Sequence, residues 1–142
     1  MNPVHSIRQA HPNGPFVHPG DFTETSDALV LCAQVCYLCA DACLAEKSPE
    51  HLRRCIQMNL DCGAICGVTA SLLLRRTEMT ASARQAQLHA CVVACQACAE
   101  ECRSHASAHQ HCAICMQTCL DCQEKCNFAL GELSPAVAGA IE

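Results

Sequence analysis

From about residue 25 onward, four stretches return to the same kind of side chain at intervals of three and four residues. Those steps keep side chains on one face of an α-helix. The recurring residue is cysteine. Cys32, Cys36, Cys39 and Cys43 are spaced by four, three and four, and Cys91, Cys95, Cys98 and Cys102 repeat that spacing. Cys112, Cys115, Cys119, Cys122 and Cys126 extend it by one step, while Cys55, Cys62 and Cys66 form an incomplete version with Met58 and Asn59 inside it. At about 100° per residue, each set stays within a wedge of roughly 60–80°. That narrow face is the one helices turn to the middle of a bundle.

Start and stop signals divide the stretches. The first helix begins after Thr25 or Ser26 and runs to about Glu46. Ser48 as cap, Pro49 at the first turn and Glu50 near the positive end open a second helix, which ends near Arg76. Thr80 caps a third that runs to about His105, and Ser107 a fourth that runs to about Leu133, with Gly131 and Pro135 ending it. Connections this short make neighbouring helices antiparallel. Residues 1–24, with Pro3, Pro12, Gly14, Pro15, Pro19 and Gly20, read as an irregular leader, 25–134 as the bundle and 135–142 as a tail.

The second and fourth stretches also match in register: Cys55, Gln57, Leu60, Asp61, Cys62 and Cys66 against Cys115, Gln117, Leu120, Asp121, Cys122 and Cys126. The expectation is therefore an all-α, up-down-up-down four-helix bundle built from a duplicated helical hairpin.

Composition sharpens this. Sixteen of 142 residues are cysteine, aromatics are 3% and there is no Trp, so the usual bulky residues cannot fill the core. A formal charge of −5 carries no basic footprint for nucleic acid. No apolar run approaches the roughly 18 residues of a membrane span. The opening residues lack the apolar core of a signal peptide, so the expected location is the cytoplasm, where thiols stay reduced. Cysteines one turn apart on one helix are badly placed for disulfides. Left empty, a core of such small side chains carries cavities, each costing on the order of a kcal/mol or more.

Metal fills that space. Thiolates select copper(I), zinc or iron–sulfur clusters. Zinc takes discrete sets of four ligands, whereas these cysteines form a continuous ladder. A monovalent ion can be matched one to one by bridging sulfurs. Cluster-binding loops have other spacings and a following proline. Copper(I) ranks first, zinc second and a cluster third. Met58 offers a soft thioether and Asn59 a weak carbonyl oxygen. No Ser-His-Asp set or phosphate loop is present, and an enzyme is not expected. Asp61 and Asp121 fit a rim role, a helix contact or an auxiliary ligand.

The duplicated Cys-x3-Cys-x2-Cys-x3-Cys stripes and the segment Cys-Ile-Gln-Met-Asn-Leu-Asp-Cys resemble the bacterial copper storage proteins, in particular their cytosolic branch. The likeness spans about residues 25–130. It implies many copper(I) ions per chain held along the bundle core by all sixteen cysteines, a homotetramer, and mouth histidines matching His105, His109 and His111. A zinc or copper buffer, or a metallochaperone with few discrete sites, is the alternative.

The bundle's two ends also differ. Cys43, Cys55, Cys102 and Cys112 approach the end ringed by His51, His105, His109 and His111. Leu29, Leu72, Leu73, Leu74, Leu88, Phe128, Leu130 and Leu133 gather at the other, which reads as plugged. Copper is expected to pass through the histidine end. His89 reads as structural, and His5, His11 and His18 as solvated. Apolar residues outside the wedges, Val30, Leu38, Ile56, Leu60, Val92 and Val93, are shared between helix packing and contacts with other copies.

Overall fold

The structure is a computed structural model that describes residues 2–14, 22–75, 77 and 80–141, with side chains described as far as residue 133. A short helix α1 (Pro3–Gln9) precedes four long ones: α2 (Thr23–Leu44), α3 (Arg53–Leu74), α4 (Ala81–Arg103) and α5 (Gln110–Ile141). A 3-10 turn, Pro49–Leu52, leads into α3. Packing joins α2 to α3, α3 to α4, α4 to α5 and α5 back to α2, with no diagonal pair among the described residues. That is a four-membered ring of antiparallel helices around one axis, and every cysteine stripe faces it: all sixteen cysteines are buried and free.

Several ends differ from the sequence expectation. The leader is not wholly irregular. Asn2 caps α1 by accepting the Val4 N–H through its side chain (2.9 Å), and Pro3 pre-sets the first turn. His18, Pro15, Pro19 and Gly20 lie outside the described residues. Helix α2 starts at Thr23. Thr25 and Ser26 are therefore inside it and buried, and the Ser26 hydroxyl donates to the Ala70 carbonyl of α3 (3.3 Å). Ser48 makes no side-chain cap bond, because the turn after it is 3-10. Helix α3 ends at Leu74, and Arg76 lies outside the described residues. Thr80 does cap α4, accepting the Ala83 N–H at 3.2 Å. Ser107 does not cap α5; it lies in the turn, and the His109 carbonyl accepts the Cys112 and Ala113 N–H groups at 3.1 and 3.2 Å. Nor does Pro135 end α5, whose backbone stays helical to Ile141. The bond a proline forfeits there is the one to the carbonyl of Gly131.

Thr23–Leu44 and Pro49–Leu74 are each long and apolar enough to cross a membrane on length and composition, against the expectation that no segment is. Cysteine accounts for much of this, since it counts as apolar while the stripe it forms faces the bundle axis.

The end away from the α2–α3 and α4–α5 connections is closed by hydrocarbon. Phe22, Leu29, Ala70, Leu73, Leu88, Ala129 and Leu133 are buried there. Leu72, Leu74 and Leu130 are partly buried. Phe128 is 65% exposed and takes no part in the plug; Ala129 occupies the inward position next to it. Thr69, buried beside Ala70, donates to the Ile65 carbonyl (2.7 Å) and accepts from Gln87 (2.9 Å), so its hydroxyl is satisfied. Helix α1 lies against this end through Arg8 to the Thr23 hydroxyl and His5 to Asp27 (3.7 Å).

Candidate metal centre

The stripes bring sulfur from all four long helices into contact along the axis. Cys66 Sγ lies 3.5 Å from Cys91 and 3.7 Å from Cys95. Cys62 Sγ lies 3.9 Å from both Cys66 and Cys95. Cys36 is 3.7 Å from Cys119 and 4.0 Å from Cys32 and Cys115, and Cys32 is 3.9 Å from Cys119. Cys55 and Cys102 meet at 3.8 Å. Sulfurs bonded to one metal at about 2.3 Å sit about 3.8–4.0 Å apart in tetrahedral or trigonal sets. The column already has that spacing.

Groups whose donor atoms all lie within 4.8 Å of one another overlap. Cys32 belongs with Cys66, Cys95 and Cys122, and also with Cys36, Cys62 and Cys119. Cys36 and Cys119 belong again with Cys98 and Cys115. Cys39 belongs with Cys55 and Cys102, and also with Cys43, Cys112 and His111. A sulfur shared by two sets is placed to bridge, which suits a low-charge soft ion better than private zinc quartets. Cys126 continues the α5 stripe and is buried beyond Cys122.

Asn59 interrupts the column. It is fully buried; its Oδ1 accepts S–H bonds from Cys115 (2.9 Å) and Cys98 (3.2 Å), and its Nδ2 donates to Cys55 (3.5 Å). An amide oxygen aimed among sulfurs can serve as an auxiliary donor. Met58 is half-buried and packs against the core from its flank. Asp61 and Asp121 are exposed, off the buried sulfur column, and Asp121 accepts from Gln117 (2.9 Å) in a contact within its own helix.

Of the four histidines at the connection end, His111 touches the sulfurs. Its Nδ1 lies 3.5 Å from Cys39, 3.6 Å from Cys112 and 3.9 Å from Cys43. Its ring stacks on His109, with centroids 5.5 Å apart, and His51 contacts His109 (5.9 Å) and His105 (6.2 Å). Two carboxylates brace these rings. Glu46 faces His109 and His111, and Glu101 faces His105 (3.3 Å) while pairing with Arg54 (3.2 Å). Sequence reading missed both. Glu101 was within reach, one helical turn before His105; Glu46 lies in the other connection and meets its partners only in the fold. Leu52, fully buried at this end, was missed as well.

Protonation varies along the column. Burial, and then the charge of Cys39, push Cys43 up to about 11. Burial and the charges of Cys39 and Cys43 raise Cys112 too. Deeper in, Cys32 is lowered, chiefly by its hydrogen-bond contact with Cys119, and Cys119 is raised, chiefly by its contact with Cys115. A metal binds the thiolate, so an ion entering this core displaces the protons of the thiols it takes.

Residues 20–131 match the family described as copper storage protein, Csp. The copper storage protein Ccsp from Streptomyces lividans, loaded with 10 copper equivalents, superposes with a TM-score of 0.84 at 34% identity, covering 91% of this chain and 98% of that one. A second structure, described as copper loading to a cytosolic copper storage protein from Streptomyces lividans with five coppers, gives a TM-score of 0.76 at 38% identity over 78% of this chain and 92% of that one. The uncharacterized cysteine-rich protein YhjQ of Bacillus subtilis (strain 168) is 32% identical over 101 residues, 70% of this chain and 87% of that protein.

Proposed function

This chain belongs to the copper storage protein family, and we propose that it holds many copper ions as copper(I), bridged between the sixteen cysteine thiolates of its core. The overlap of the sulfur groups carries this reading: Cys32, Cys36, Cys39 and Cys119 are each shared by two sets of donors. A zinc buffer needs separate quartets, and a chaperone needs a site open to its partner; neither accounts for a buried, continuous ladder. In this reading the Asn59 Oδ1 is an auxiliary donor in mid-column, and His111 links the column to His105 and His109 at the mouth. The protein stores its cargo without turning it over.

The proposed location is the cytoplasm, where the thiols stay reduced. A homotetramer is the proposed assembly. Val30, Leu38, Leu60 and Val93 are exposed on the outer faces of the ring, together with Leu31, Val68 and Ile114, whereas Val92 is buried and Ile56 half-buried between helices. Sedimentation of the native protein measures the assembly directly.

An anaerobic titration of the reduced protein against a coloured copper(I) chelator tests the reading. Copper is withheld from the chelator until roughly one ion per thiol is bound. Saturation after one to four ions defeats it in favour of a buffer.

A further inference from the structure

Glu46 stands two residues beyond the end of α2, and its two carboxylate oxygens face two different rings. Oε2 lies 3.1 Å from His109 Nδ1, within hydrogen-bond range. Oε1 lies 3.8 Å from His111 Nε2, which is buried and has no hydrogen-bond partner. The opposite nitrogen of His111 is the one that faces the sulfurs of Cys39, Cys43 and Cys112.

A neutral imidazole carries one proton, and the nitrogen that holds it is fixed by the acceptor beside it. A single carboxylate between these two stacked rings favours opposite choices: it accepts from His109 Nδ1 at 3.1 Å, and at 3.8 Å, outside hydrogen-bond range, its charge alone draws the His111 proton toward Nε2. His109 donates from Nδ1, leaving its Nε2 lone pair pointing away from Glu46. With the His111 proton on Nε2, the Nδ1 lone pair faces the sulfurs of Cys39, Cys112 and Cys43, whose S–H groups are within donating distance.

Building on the storage reading above, we propose that Glu46 is a positioning residue for copper transfer. By bracing both rings it sets His109 to take the ion at the mouth and His111 to pass it to Cys39, Cys43 and Cys112. As an ion binds His111 Nδ1, the Nε2–H becomes a stronger donor and the carboxylate closes on it. The pair Glu101–His105, held by Arg54, has one ring per carboxylate and cannot link two rings in this way.

The test has two parts. In the unaltered, copper-free protein, nitrogen-15 shifts of the histidine rings are expected to show His109 protonated on Nδ1 and His111 on Nε2. A His111 protonated on Nδ1 overturns the proposal. In Glu46→Leu, both rings are expected to show mixed tautomers, and the initial rate of copper uptake from the coloured chelator falls about 10-fold or more, the usual cost of losing a partner that orients a metal ligand. Its final capacity stays within about one ion of the parent. Glu46→Gln, which offers one acceptor oxygen in place of two, falls between them. Full uptake rate in Glu46→Leu overturns the proposal. A low capacity in the unaltered protein would instead defeat the storage reading, so the two failures are distinguishable.

Discussion

The two hairpins of the bundle carry the same inward register and fill it differently. In α5 the five inward steps are Cys112, Cys115, Cys119, Cys122 and Cys126; the matching steps from the 3-10 turn through α3 are Leu52, Cys55, Asn59, Cys62 and Cys66. All ten side chains are buried. The second hairpin thus lines its side of the axis with sulfur throughout. The first supplies a hydrocarbon wall near the mouth and an amide in mid-column. Duplication sets where side chains point, and the two exceptions fix where the column changes character. Asn59 ties α3 to both helices of the other hairpin by accepting from Cys98 and Cys115, a link that a cysteine at this position would not reproduce with oxygen.

The sharpest way to break this comparison is at its outer step. Leu52→Ala opens a cavity and should cost about 2–5 kcal/mol of copper-free stability. Cys112→Ala at the paired position removes one sulfur and should cost roughly 1 kcal/mol. Urea unfolding of both variants measures the gap, and equal losses would mean that the two positions are interchangeable.

Acidity is the next largest effect, and here the hairpins should behave alike. Cys43 from the first, raised to about 11, and Cys112 from the second, also raised, converge on His111. Both are protonated at neutral pH, and copper binds the thiolate, so affinity at the mouth falls as pH falls. Lowering pH from 8 to 6 should weaken it by about 100-fold for each proton displaced. Chelator competition at the two pH values checks this; a flat response would show that these thiols are already ionised.

A smaller effect separates the turns. His105 and His109 come from the α4–α5 connection, His111 from the first turn of α5, and His51 from the other connection. Replacing the first three with Ala should slow copper uptake about 10-fold and leave most of the capacity. Replacing His51 alone should change the rate much less. Stopped-flow mixing with the copper-loaded chelator compares them.

The smallest change bears on Asn59. Asn59→Ala leaves two S–H groups without their oxygen and should cost about 1 kcal/mol. Asn59→Cys, which restores the match with Cys119, should raise capacity by about one ion. Unfolding and mass measurement of the loaded protein read the two outcomes.

Periodicity made the bundle legible because a stripe at steps of three and four fixes a face whatever it packs against. It also held information that inspection by composition overlooked. Phe128 lies two residues after Cys126, about 200° around the helix, and so belongs on the outside; Ala129, three residues on, returns to the stripe. Caps were less readable. Ser107 and Ser48 are good caps in isolation, but the turns into α5 and α3 are set by how the connections close over the core, with Leu52 buried beneath one of them. Glu46 was invisible because its partners lie some sixty residues away, and periodicity within one helix is silent about what two connections do when they meet.

The hydrocarbon floor formed by Phe22, Leu29, Leu73, Leu88 and Leu133 gives the column a bottom. Under the storage reading, a tube with a single opening fills and empties past the same few side chains. Deposit and withdrawal then share one toll gate, and a change at the mouth alters both rates together while leaving the capacity of the column behind it intact.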